Sequence, residues 1–166
     1  MKICIAQQNY HIGNFEQNTE KILSAIETAK NQGADLILFS EMSVCGYPAR
    51  DFVEFEDFIN KCDQLIEKIK PLTSNIAVVI GAPSRNPLAE GKDLFNSAYF
   101  IADGKIIGLA HKALLPTYDI FDEYRYFEPS KEFHVVVFKG KKIALTICED
   151  IWNIGNENPL YTVCPM

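Results

Sequence analysis

No apolar run in the sequence is long enough to span a bilayer, and Met1-Lys2-Ile3-Cys4-Ile5-Ala6 is not followed by a signal-type apolar segment and cleavage site. Neither a membrane anchor nor a secretory leader is read from it, and the expectation is a cytoplasmic protein. A basic stripe is missing too. Lys and Arg number 16 against 22 Asp and Glu, a formal net charge of −6, which argues against a nucleic-acid surface, where clustered cations must meet phosphates. Cys4, Cys45, Cys62, Cys148 and Cys164 contain no C-x-x-C pair, and His11, His111 and His134 share no ligand spacing. A disulfide framework and a structural metal site are therefore not expected, and free thiols in a reducing compartment are. Gly81, Gly91, Gly104 and Gly108 are too dispersed to cradle a phosphate. No internal repeat or low-complexity tract occurs.

What is present is a chain of 166 residues, 48% hydrophobic and 23% charged, the balance and size of a globular domain able to bury a core. Apolar alternation predicts a strand over residues 2–8, and helical spacing of Phe15, Ile22, Leu23, Ile26 and Ala29 predicts a helix over 14–31, stopped at Gly33. Residues 34–41 form a nearly continuous apolar run, as in a strand covered on both faces, and it stops on Glu41. After a loop marked by Cys45-Gly46-Tyr47-Pro48, a stripe through Phe58, Ile59, Cys62, Leu65, Ile66 and Ile69 predicts a second helix over 55–70. A strand over 76–82 and a polar loop over 83–92 follow. Asp103-Gly104 then joins strands 94–102 and 105–111 as a hairpin, and Lys139-Gly140 joins 134–138 and 141–147 as another. Between the hairpins, residues 113–130 form an aromatic-rich loop long enough to imply a role of its own. A helix is expected from Glu149, interrupted or ended near Gly155. Strands alternating with amphipathic helices give a layered α/β architecture.

Three of these strands end on a polar, reactive side chain: Glu41, Lys112 and Cys148. Singly, each has an ordinary structural reading: a solvated strand end, a surface lysine, a small buried thiol. Together they complement one another. A thiol with an ordinary pKa of about 8.5 is mostly protonated at neutral pH and needs a partner to take its proton. Glu41 is that candidate base, and the ammonium of Lys112 a candidate stabiliser of the oxyanion that forms when a thiolate attacks a carbonyl. Cys148 would stand on the bend between a strand and a helix, as in a nucleophile elbow.

The strand ending on Glu41, the Cys45-Gly46-Tyr47-Pro48 loop, His111-Lys112 followed by Leu115-Pro116-Thr117-Tyr118, and Cys148-Glu149-Asp150-Ile151-Trp152 together resemble the nitrilase, or carbon–nitrogen hydrolase, superfamily. Within it, the run from Tyr118 to Phe127 and the Cys-Glu-Asp-x-Trp elbow are most similar to the amino-terminal glutaminase domains of glutamine-dependent NAD+ synthetases. The resemblance implies a four-layer α-β-β-α sandwich, here apparently truncated on its C-terminal side. It implies Cys148 as nucleophile, Glu41 as general base and Lys112 as electrostatic stabiliser. Glu123 falls on a second glutamate that positions the lysine and substrate. Tyr118 and Phe121 fall on the substrate pocket and Tyr47 beside the base, with Glu149 as a further supporting side chain.

The activity implied is hydrolysis of the glutamine side-chain amide, through a thioester, to supply ammonia for ATP-dependent amidation of deamido-NAD+. ATP and Mg2+ would serve a separate synthetase domain, and a homo-oligomer is expected. No cofactor or metal is expected within this segment. One alternative is a free-standing amidase or carbamoylase of the same superfamily acting on another small amide. Another, of a different class, is a non-catalytic α/β binding module whose polar strand ends are structural.

Overall fold

A computed structural model describes residues 1–165. Five strands form one sheet in the order β1-β2-β3-β4-β5: β1 (Ile3–Ala6), β2 (Leu36–Phe39), β3 (Ala77–Arg85), β4 (Leu94–Ala102) and β5 (Lys105–His111). β1, β2 and β3 run parallel, whereas β3-β4 and β4-β5 are antiparallel. The parallel pairs are connected through α1 (Phe15–Asn31) and α2 (Glu56–Ile69), as a parallel crossover requires. Asp103 and Gly104 both take positive φ, 49° and 75°, the backbone of a tight primed turn whose twist matches the strands it joins.

Both helices follow from local chemistry. The Asn14 side chain caps α1 by accepting from the Gln17 N–H at 3.2 Å, and Gly33, at φ 67°, ends it where a side chain would be strained. α2 begins on Glu56 and Asp57, acids that suit the positive end of the helix dipole, and buries Phe58, Ile59, Cys62, Leu65, Ile66 and Ile69 as one stripe. Each large apolar side chain so covered contributes roughly 1.5–3 kcal/mol.

Alternation along the strands separates two cores. Val78, Ile80 and Ile101 pack with Ile22, Ile26, Ile59 and Ile66 of the helices. Their neighbours Ala77, Val79, Phe100 and Ala102 face the other way, against Val136, Phe138, Ile143 and Leu145. Those last residues belong to or follow an antiparallel ribbon, β6 (Val135–Phe138) and β7 (Lys141–Ala144). Helices, sheet and ribbon are thus three successive layers of a mixed α/β fold. The ribbon lies close on β5: a Cβ on Gly108 would stand 2.3 Å from Val136 Cγ2.

Some expectations are corrected. β2 is not covered on both faces, since Leu38 is 39% exposed, and Ile5 of β1 is 72% exposed. β3 continues through Pro83, Ser84 and Arg85, which lie in register with Asn96, Phe95 and Leu94; proline read as punctuation hid this extension. The segment after β7 is a 3-10 turn over Cys148–Asn156 where an α-helix was expected, and its break at Asn153, Ile154 and Gly155 falls where the sequence places the interruption. Among the described residues no helix is long and apolar enough to cross a membrane.

One glycine fixes the geometry next to Glu41. A Cβ on Gly81 would sit 2.4 Å from the Met42 nitrogen and 2.9 Å from Glu41 Cα, and Met42 itself turns at φ 51°. Gly81→Ala is therefore expected to destabilise the fold by about 1–3 kcal/mol, as overpacking does, measured as a lowered urea midpoint. It should also slow any reaction that depends on Glu41.

Candidate active site

Glu41 lies just beyond β2, Lys112 immediately after β5, and Cys148 beyond β7. The backbone of Lys112 is fixed on both sides, its N–H donating to Asn96 O at 2.8 Å and its carbonyl accepting from Ser130 N at 3.0 Å. This leads its side chain inward, where it has no exposed surface. Its ammonium lies 2.7 Å from Glu41 Oε1 and 2.7 Å from Glu123 Oε1. Glu123, in a single 3-10 turn (Glu123–Arg125) of the long loop, is 4% exposed. It also accepts from the Tyr47 hydroxyl at 2.7 Å. Asn96 of β4 reaches both acids, donating to Glu41 Oε1 at 2.6 Å and Glu123 Oε2 at 3.2 Å.

Burial alone would push the Lys112 ammonium towards neutrality, but the two carboxylates outweigh it and hold its pKa above the ordinary lysine value. Burial raises Glu123 above the usual carboxylate range, with Lys112 and Tyr47 opposing. The unit is two acids on one cation, sealed by protein on the lysine side and open at Glu41.

The turn bearing Cys148 is tied to the same structure by Asp150. Its Oδ1 accepts from the N–H groups of Ala113 and Leu114, at 3.0 and 2.9 Å, and its Oδ2 from Ile147 N at 2.9 Å. The residues that follow Lys112 and the residue that precedes Cys148 are thereby joined through one buried carboxylate. Cys148 itself adopts φ 46°, the left-handed backbone that a side chain other than glycine enters only under constraint.

Glu41 and Cys148 line one cavity of about 350 Å3 between sheet and ribbon, whose walls include Leu36, Leu38, Val79, Ile143 and Leu145. The thiol is exposed, yet partial desolvation, with the Glu41 carboxylate next in weight, raises its pKa above the ordinary value, Lys112 opposing. A protonated thiol in the same cavity as the Glu41 carboxylate is the resting arrangement this favours.

Around this core, Tyr118 donates to Glu149 at 3.0 and 2.9 Å, and Tyr161 donates to the same carboxylate. Phe121 packs edge-on to Tyr118 at 5.5 Å and tilted to Tyr47 at 6.2 Å. Tyr118, Phe121 and Tyr47 thus form an aromatic arc from Glu149 to Glu123. All eight side chains singled out in the sequence lie in this region; of them Glu41 and Cys148 line the cavity, and Lys112 is set behind Glu41. His111 instead hydrogen bonds Ser97 at 2.7 Å and stacks on Phe95 at 4.1 Å. Sequence reasoning missed Asn96, Asp150 and Tyr161. Asn96 left a trace, as an amide in an otherwise apolar strand. Asp150 left another, as an acid two residues after the cysteine, named in the Cys-Glu-Asp-x-Trp elbow but given no role of its own. Tyr161 left none. Among the described residues no group of three or more His, Cys, Asp or Glu side chains is arranged to hold a metal ion.

Residues 2–160 match the family of carbon–nitrogen hydrolases. The chain is 41% identical over 158 residues to a glutamine-dependent NAD+ synthetase of Synechocystis sp., covering 91% of this chain and 28% of that protein. It is 35% identical over 153 residues to the synthetase of Thermotoga maritima, covering 92% and 26%. The chain thus spans little more than a quarter of these relatives. Among solved structures, the glutamine-dependent NAD+ synthetase of Acinetobacter baumannii, in complex with ADP, superposes with a TM-score of 0.85 at 36% identity, over 92% of this chain and 28% of that one. An amidase from Nesterenkonia sp. shares the fold, with a TM-score of 0.77 at 22% identity over 91% of this chain and 56% of that one.

Asp150→Ala should leave three backbone N–H groups without their acceptor and lower stability by at least about 1–3 kcal/mol, read by urea titration. Glu41→Gln removes a negative charge beside the thiol while Lys112 remains. The alkaline midpoint of Cys148 alkylation by iodoacetamide, followed by peptide mass spectrometry, should therefore move to lower pH.

Proposed function

The chain belongs to the carbon–nitrogen hydrolase family, and from that premise we propose that it cleaves the side-chain amide of glutamine to glutamate and ammonia. The observation that carries this reading is the shared wall of Glu41 and Cys148, backed by the Glu41–Lys112–Glu123 ion cluster. The Cys148 thiol gives its proton to Glu41, and the thiolate adds to the amide carbon. The resulting oxyanion meets the positive field of Lys112, which counts for more because protein rather than water surrounds that ammonium. The backbone N–H after Cys148 is a second donor. Glu41 returns the proton to the leaving nitrogen, ammonia departs, and a thioester on Cys148 remains. Water, deprotonated by Glu41, hydrolyses it to glutamate and regenerates the thiol. Acid–base assistance of this kind is typically worth about 10²–10⁴ in rate.

Glu149, held by Tyr118 and Tyr161, offers a fixed carboxylate beside the nucleophile, and the aromatic arc lies next to it, outside the lining of the cavity shared by Glu41 and Cys148. The names of the relatives extend the reading: in the full-length polypeptide the ammonia would amidate deamido-NAD+ in a second domain, with ATP and Mg2+ acting there. The assembly would be a homo-oligomer and its location the cytoplasm.

Cys148→Ala is expected to abolish glutamine-dependent NAD+ formation by the full-length polypeptide while leaving formation from free ammonia. Glutamine-supported turnover by that variant would show that the nucleophile lies elsewhere. A protein that hydrolyses other small amides and forms no NAD+ would be a free-standing amidase instead.

A further inference from the structure

Each carboxylate oxygen of the ion cluster has its donors, with one exception. Glu123 Oε1 accepts from Lys112 and Tyr47, and Glu123 Oε2 from Asn96. Glu41 Oε1 accepts from both Lys112 and Asn96. Glu41 Oε2 accepts from none of the described residues, and Glu41 lines the cavity it shares with Cys148. The Asn96 amide stands between the two acids and gives one N–H to each. Its own Oδ1 is buried without a partner. An amide turned the other way would set that oxygen against two carboxylates. The unmet acceptor is therefore the cost of aiming both donors at the acids. Asn96 also takes the Lys112 backbone N–H on its carbonyl, so one residue registers the strand that carries the lysine and the acids that neutralise it.

We propose that Asn96 is a positioning residue for proton transfer: by occupying Glu41 Oε1 together with Lys112, it fixes the orientation of the carboxylate and presents Oε2 to the Cys148 thiol. The inference rests on reading Glu41 as the proton acceptor, but not on glutamine as the substrate. Without the amide, two carboxylates share a single ammonium, and a carboxylate stripped of a donor holds a proton more tightly. The proton that Cys148 must deliver then finds its acceptor already occupied over a wider acidic range.

Alkylation of Cys148 tests this in the full-length polypeptide without any substrate. Proton exchange within the Glu41–Cys148 pair should give the iodoacetamide rate an acidic limb belonging to the pair, and Glu41→Gln should abolish it. That comparison needs no change at position 96, and a wild-type profile lacking the limb would overturn the proposal. Asn96→Ala should move the limb up by about one to two pH units, the size expected for losing a hydrogen bond to a charged group. The near-isosteric Asn96→Asp should move it at least as far. In the Glu41→Gln background, Asn96→Ala should change nothing further. A merely structural amide would lower the folded fraction, read by circular dichroism, and leave the limb in place. A stationary limb in either folded variant, or additive effects with Glu41→Gln, would refute the role. A displaced limb in a protein that fails to hydrolyse glutamine would support Asn96 while removing the substrate reading.

Discussion

The site depends on one cation that cannot reach water. Lys112 has no exposed side-chain surface and spends two of its three N–H donors on Glu41 and Glu123. A buried ammonium is tolerable only when opposite charge and hydrogen bonds replace its hydration, and here both come from segments far apart in sequence. Glu41 arrives from the end of β2, Glu123 from the long loop, and Asn96 from the middle of the sheet. That mutual requirement selects one arrangement of the three, and it leaves the surplus negative charge at the cavity, beside the thiol.

The neighbouring turn is held by the same logic in a different medium. Asp150 collects N–H groups from Ala113, Leu114 and Ile147, so the chain leaving Lys112 and the chain entering Cys148 are fixed to a common oxygen pair. The φ of 46° at Cys148 is then sustained by backbone bonds that surround it. Gly81 performs the complementary service on the other side, letting β3 approach the backbone of Glu41 more closely than any side chain would allow.

Regular patterns were legible. The stripe of α2, the Asp103-Gly104 turn and the three strand ends at Glu41, Lys112 and Cys148 repeat at helical or strand periods or carry turn chemistry, and each lies within a few residues of its expected place. What was not legible has long-range causes. Leu38 looks like a core residue but lies on a face where cover is incomplete. Pro83 stays in its strand because the ladder to β4 continues past it. The helix expected after Cys148 is a broken 3-10 turn whose first acid-bearing positions are occupied by distant partners: Tyr118 and Tyr161 on Glu149, Ala113 and Leu114 on Asp150.

By itself the sequence determined which side chains could do chemistry and on which elements they stand, because periodicity and turn preference are local and survive in one dimension. It could mark Glu41, Lys112 and Cys148 as strand ends, and resemblance could add Glu123 and the aromatic residues. Only the tertiary structure decided which oxygen of Glu41 is left open, that Lys112 stands behind the cavity wall, and that Asn96 and Asp150 hold the parts together. Those facts rest above all on hydrogen bonds between residues 27 to 71 positions apart. Such bonds are set by the packing of layers and leave no period in the chain that makes them.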